Sequence, residues 1–247
     1  MKKAVTGFFM SWGMFCAIPC PLKIWDENSK LYSVLFIPFV GAVIGVVWAL
    51  VALLLGFLSA PMLLSAAILA VCPWLVSGFI HLDGFMDCSD AILSRRDLAE
   101  RQRILKDSHT GAFAVISLVI AAMIAFGAFA DFAGENVWAL IFLPAAARCP
   151  SAISVLTFKP IGHSGYAKAF ESSNKGYKIA AWCVLAVVAV LPVVLFGVSG
   201  LYALAAQIAA FLTILYGRKQ LGGMSGDISG YGITVGEIIG AVALILL

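Results

Sequence analysis

The fold class predicted by this sequence is all-α: a polytopic membrane helix bundle of about seven transmembrane helices plus an N-terminal interfacial helix. Three observations predict it. Of the 247 residues, 62% are hydrophobic and only 12% charged, with mean hydropathy +1.03. A soluble domain carries about 25% charged residues. Long apolar stretches recur at the ~20-residue length that a helical span requires. Runs such as "VVWALVALLLGFL" lack the period-2 alternation of a barrel, and lipid leaves the backbone no partner outside a helix.

The elements follow in order. The N-terminal "MKKAVTGFFMSWGMFCAIPCP" has lysines before an apolar run but no A-x-A-like cleavage site, so it reads as retained. Residues 4–20 are short for a span and end at Pro19 and Pro21, which predicts an interfacial helix. Spans are predicted at roughly 33–58, 61–82, 111–130, 136–157, 178–198, 200–217 and 232–247, the last one short. With no repeat and no linker, residues 1–247 read as a single integral membrane domain.

Lys and Arg set the orientation. The turns near 59–60, 131–135 and 198–200 carry none. The N-terminal region, the 83–110 loop, the 158–177 loop and the 218–231 loop carry all of them except Arg148 and Lys178, the latter at the very edge of the fifth span. The positive-inside rule puts these four segments in the cytoplasm. A net charge of +3 and the lack of a basic run argue against nucleic-acid binding. Cys16, Cys20, Cys72, Cys88, Cys149 and Cys183 form no CxxC pair, so neither a zinc nor a redox motif is expected.

The chemistry concentrates in "HLDGFMDCSDAILSRRDLAERQRILKDSHTGAF", His81 to Phe113. If the second span stays helical through Asp90, then Asp83, Asp87 and Asp90 lie at about 0°, 40° and 340° around it. Three carboxylates on one face repel unless a cation holds them. Mg²⁺ suits oxygen donors and takes one or two carboxylates plus substrate phosphates. Asp107 opens the next apolar run and closes the site as a further ligand or as the base. Arg95, Arg96 and Lys106 suit anionic oxygens. His81 points 160° from Asp83 on an ideal helix, which predicts a packed or hydrogen-bonded role.

Arg148 sits near the middle of the fourth span, where an arginine costs about 2.5–3.5 kcal/mol and needs a partner or a cavity. A phosphate contact and an ion pair, with Glu237 as one partner, are both open. In "RKQLGGMSGDISGYG", Gly222 and Gly223 allow backbone N–H groups near a phosphate, with Asp227 beside them in a Gly-rich turn. A flexible hairpin is the competing reading. A transporter would place polar groups at the bilayer midplane, and only Arg148 lies there. An anchor subunit has no use for an aspartate face. A membrane enzyme acting on a phosphoanhydride remains.

The stretch resembles the signature of the cobalamin synthase family, the adenosylcobinamide-GDP ribazoletransferases: H-L-D-G-x-x-D-x-x-D-G, a basic stretch, then K-D-S-x-x-G. His81, Asp83, Gly84, Asp87, Asp90, Lys106, Asp107, Ser108 and Gly111 match, and Ala91 replaces a glycine. "LGGMSGD", Leu221 to Asp227, resembles the second signature with Ser225 for threonine. The resemblance covers essentially the whole chain, less well over 160–178. It implies that adenosylcobinamide-GDP and α-ribazole, or its 5′-phosphate, give adenosylcobalamin, or its 5′-phosphate, plus GMP. It implies Mg²⁺ as cofactor and the bacterial cytoplasmic (inner) membrane as location, with a homo-oligomer compatible. Under it, Asp83, Asp87, Asp90 and Asp107 are metal ligands, with Asp87 and Asp107 the catalytic pair. Arg95, Arg96, Lys106, Ser108, Arg148, Gly222, Gly223 and Asp227 are expected to bind substrate. A CDP-alcohol-type phosphotransferase acting on lipid, with a similar D-G-x-x-D spacing, is the alternative.

Overall fold

The computed structural model describes residues 2–132, 134, 136–162 and 175–247. These form eleven α-helices with short 3₁₀ turns. They are α1 (Lys2–Phe15), α2 (Lys30–Leu35), α3 (Ile37–Phe57), α4 (Met62–Val76), α5 (Ile80–Leu93), α6 (Leu98–Ile104), α7 (Ala112–Ala130), α8 (Phe142–Thr157), α9 (Lys175–Phe196), α10 (Leu201–Leu221) and α11 (Gly226–Leu246). No β-strand occurs among the described residues; Pro160 and Met224 form one isolated parallel bridge.

By length and composition, five helical stretches can cross a membrane, or six if the bent α4–α5 pair is one span. The stretch Lys175–Leu221 is 47 residues long and holds both α9 and α10. Gln207 Nε2 of α10 donates to the Leu185 carbonyl of α9 at 3.1 Å, so the two pack side by side. Counted separately they bring the total to six, or to the expected seven when the bent α4–α5 pair is taken as one span. Their outward faces keep Val187, Val190, Val194 and Leu212 exposed, as do Ile116, Val119 and Met123 of α7. Helices apolar on every side need lipid on the outer one.

The centre is α8, buried from Leu143 to Leu156. Helices α3, α9, α10 and α11 surround it. Small residues allow the close approach that membrane helices use in place of a hydrophobic drive. Gly232, Gly236 and Gly240 line one face of α11, where a Cβ would strike Ala210, Ala206 or Leu143. The predicted N-terminal helix is present as α1, packed on α2 and α3.

Two expectations need correction. The predicted 61–82 span does not continue into the aspartates. It ends at Val76, and α5 leaves at 93°. Gly78 N–H bonds to Leu75 O at 3.0 Å and Phe79 N–H to Trp74 O at 2.8 Å, with Gly78 at φ 66°. This pattern of bonds closing on a left-handed glycine stops a helix. Phe79 also sits at φ 61°, a conformation costing a non-glycine roughly 1–2 kcal/mol.

The final helix is not short. It begins at Gly226 and runs 21 residues, so Asp227 lies in its first turn rather than in a loop. Ser225 caps it by accepting from Ile228 N–H at 3.3 Å. This cap and the tight packing outweigh the weak helix propensity of its glycines.

Candidate functional site

The site is built where α5 crosses the first turns of α11. A Cβ on Gly84 would lie 2.7 Å from Asp227 Cα, and one on Gly230 would lie 2.7 Å from the His81 carbonyl oxygen. Glycine at both positions lets the two backbones touch. Thr234 Oγ1 donates to His81 O at 3.2 Å, and the Phe85 and Tyr231 rings pack 5.7 Å apart, which fixes the register.

This crossing brings Asp227 to the aspartate face. Asp87 feels the charges of Asp83, Asp227 and Asp90, and Asp227 feels that of Asp83. Asp83 is exposed, while Asp87 and Asp227 are partly buried. Ser225 Oγ donates to Asp227 Oδ2 at 3.3 Å. Among the described residues no ion pair reaches Asp83, Asp87 or Asp227.

Asp90 turns away to α7. Its Oδ2 accepts from Gly111 N–H at 2.5 Å and its Oδ1 from Ala114 N–H at 3.0 Å, satisfying donors that every helix start leaves open. A side chain on Gly111 would lie 2.6 Å from these oxygens. The two halves of the first motif, Asp90 and Gly111, are thus one joint.

Asp107 lies in the turn before α7. The His109 ring Nδ1 sits 2.6 Å from Asp107 Oδ1, and the His109 backbone N–H donates to the same atom at 3.1 Å. These bonds, the ring contact first, hold its carboxyl below the usual carboxylate range. Arg103 approaches it at 3.9 Å. Lys106 and Ser108 beside it are exposed, as are Arg95 and Arg96 at the end of α5. The structure shows no contact from these four to the carboxylates.

Helix α6 is fastened over the glycine turn. Arg101 Nη1 donates to Gln220 O at 3.2 Å and to Gln220 Oε1, and Gln102 Nε2 donates to Leu221 O at 2.8 Å. Gly222 takes φ 80° and its N–H closes α10 on Arg218 O. Gly223 is pressed against Pro160 and Ile161, where Met224 N–H reaches Lys159 O at 2.8 Å. The rest of the 160–178 loop is largely outside the described residues.

Arg148 is fully buried in an ion pair. Its Nη1 donates to Glu237 Oε1 at 2.5 Å and to Pro144 O at 2.9 Å. This is the ion-pair outcome that the sequence left open, with Glu237 as the partner. The structure brings together Asp83, Asp87 and Asp227, and leaves Asp107 and Arg148 outside that group.

A cavity of about 240 Å³ opens beside the carboxylates, between α1, α3, α5, α8 and α11. Phe15, Ile37 and Ile233 line it, with His81, Asp83, Ser151 and Asp227. Ser151 and Gly230 carried no weight in the sequence, and Gly84 entered only as a motif match. Spacing alone does not show which helix a small residue will face.

Among the described residues no three His, Cys, Asp or Glu side chains converge to hold an ion. Mg²⁺ does not require such a cage, since it completes its shell with substrate oxygens and water. Carboxylates that press on one another with no paired cation suit it.

The chain matches the family model for cobalamin-5-phosphate synthase over residues 7–245. It is 36% identical over 248 residues to the adenosylcobinamide-GDP ribazoletransferase of Clostridium perfringens (strain SM101 / Type A), covering 99% of each chain. The protein of that name from Clostridium botulinum (strain Alaska E43 / Type E3) is 38% identical over 244 residues, covering 97% of each. That of Geobacillus sp. (strain WCH70) is 31% identical over 240 residues, covering 93% of this chain and 91% of its own. No solved structure matches.

Proposed function

This chain belongs to the cobalamin-5-phosphate synthase family, and we propose that it performs the transfer for which its relatives are named. A hydroxyl of α-ribazole, or of its 5′-phosphate, attacks the cobinamide-linked phosphorus of adenosylcobinamide-GDP. A P–O bond forms there, the P–O bond to GMP breaks, and the hydroxyl gives up its proton. Adenosylcobalamin, or its 5′-phosphate, and GMP leave. The observation that carries this reading is the α5–α11 crossing, which joins the two sequence signatures into one carboxylate wall.

Of Asp83, Asp87 and Asp227, one or two would hold Mg²⁺, with substrate oxygens and water completing its shell. Bound there with phosphate oxygens, the ion would offset charge developing on the departing GMP. Asp227, first assigned to substrate, thereby joins the metal set, and Asp90 stays with α7. A carboxyl held low in proton affinity is a weak base, so Asp107 fits a ligand or positioning role better than proton abstraction. Arg95, Arg96 and Lys106 supply exposed positive charge for the pyrophosphate. The CDP-alcohol-type reading shares this chemistry, but neither the family match nor the relatives' names favour it.

We also propose the bacterial cytoplasmic membrane as location, with the carboxylate wall facing the cytoplasm. The Lys and Arg bias supports this side. A reporter fused after Gly134 is expected to behave as external, and a cytoplasmic signal there overturns the orientation. The reaction is tested by giving adenosylcobinamide-GDP, α-ribazole and Mg²⁺ to membranes containing the protein. Cobamide and GMP are expected in equal amounts, lost when the metal is chelated. No cobamide, with turnover of CDP-diacylglycerol instead, overturns it.

A further inference from the structure

We infer that the cavity of about 240 Å³ beside the carboxylate wall is the pocket for the α-ribazole nucleoside, with His81 as the buried polar group that orients it. The inference rests on the reaction proposed above. Most buried side-chain polar atoms have a hydrogen-bond partner. His81 is only 5% exposed and its Nε2 has none. The residue is not loosely held. Its carbonyl accepts from Thr234, and its ring stacks on Phe15 at 5.7 Å with the planes 20° apart. An imidazole fixed this firmly in a cavity wall, yet unpaired, is suited to a partner that arrives with a ligand.

The shape and chemistry of the walls select the ligand. Phe15, Ile37 and Ile233 offer an apolar surface that suits an aromatic base. Ser151 and His81 offer polar contacts, and Asp83 and Asp227 bring the reacting edge to the carboxylates. Pockets for drug-sized ligands span about 300–1,000 Å³. This smaller cavity excludes a corrin macrocycle. Among the described residues that line it, the charged ones are Asp83 and Asp227, so the cavity offers no cation of its own to a guanosine diphosphate. The molecule that fits is a small nucleoside, apolar at its base and hydroxylated at its sugar.

The test measures KM for each substrate in membranes carrying the wild type, His81→Phe, His81→Gln or Ser151→Val. His81→Phe keeps a ring against Phe15 but loses the hydrogen bond. It is expected to raise KM for α-ribazole about tenfold, with a much smaller change in KM for adenosylcobinamide-GDP. His81→Gln restores part of the loss because its amide can replace the imidazole contact. Ser151→Val shifts the same KM and decides the matter alone if His81→Phe does not insert. An unchanged KM for α-ribazole, or an equal rise for both substrates, overturns the inference while the reaction stands. If the wild type makes no cobamide, the reaction itself fails. Equilibrium binding of radiolabelled α-ribazole to purified wild type and Ser151→Val then decides the pocket. Weaker binding by the variant supports it, and equal or absent binding overturns it.

Discussion

Four aspartates that look alike in sequence carry different duties. Asp83 and Asp87 sit on the open wall, Asp90 closes the start of α7, and Asp107 is clamped by His109. Asp83→Asn is therefore expected to lower transfer at least ~100-fold, the scale of a lost transition-state charge contact, with little change in thermal stability. Asp90→Ala is expected to cost about 1–2 kcal/mol of stability through the uncapped helix. Thermal melts and initial rates on the two variants check this. A stable Asp90→Ala would argue against the capping role. The aspartate face was legible in the sequence, because a helix projects residues at i, i+4 and i+7 together. The division of labour was not, since the N–H groups that claim Asp90 lie 21 and 24 residues further along.

At the scale of elements, α5 and α11 depend on glycines used for closeness. Gly84→Ala puts a methyl group 2.7 Å from Asp227 Cα, on backbone that cannot swing aside. Overpacking of this kind costs about 1–3 kcal/mol, and here it also parts the carboxylates. Transfer is expected to fall more than stability predicts. Gly127→Ala is the control, because no atom lies within 4 Å of a Cβ there. Being helical and open, it is expected to be neutral or to stabilise by roughly 0.4–1 kcal/mol. Equal activity in the two variants would remove the case for the crossing. Apolar length put residues 61–82 in one span, and the aspartate face supposed that its helix ran on through Asp90. The signal against this was Gly78, whose left-handed turn ends α4.

At the scale of the whole molecule, the ion pair between Arg148 and Glu237 ties α8 to α11 in the middle of the bundle. Glu237→Leu leaves a buried arginine uncompensated, which is expected to cost about 3–5 kcal/mol. The double variant Arg148→Met with Glu237→Leu is expected to recover most of this. Denaturation midpoints of the single and double variants measure it, and a double variant no better than the single would refute the pairing role. Around this centre the outward faces stay apolar, as lipid requires.

By itself, the sequence determined that the chain is a helical membrane bundle, that α5 carries an aspartate face, and that its two signatures belong to one family. These properties are local: hydropathy, helical spacing and short motifs are written in neighbouring residues. Tertiary structure decided what each aspartate does. It turned α5 through 93°, set Gly84 against Asp227, gave Asp90 to α7 and Arg148 to Glu237, and left His81 Nε2 without a partner beside a cavity. Each of these depends on which helices meet and how closely, and the physical reason lies in packing between segments up to 153 residues apart.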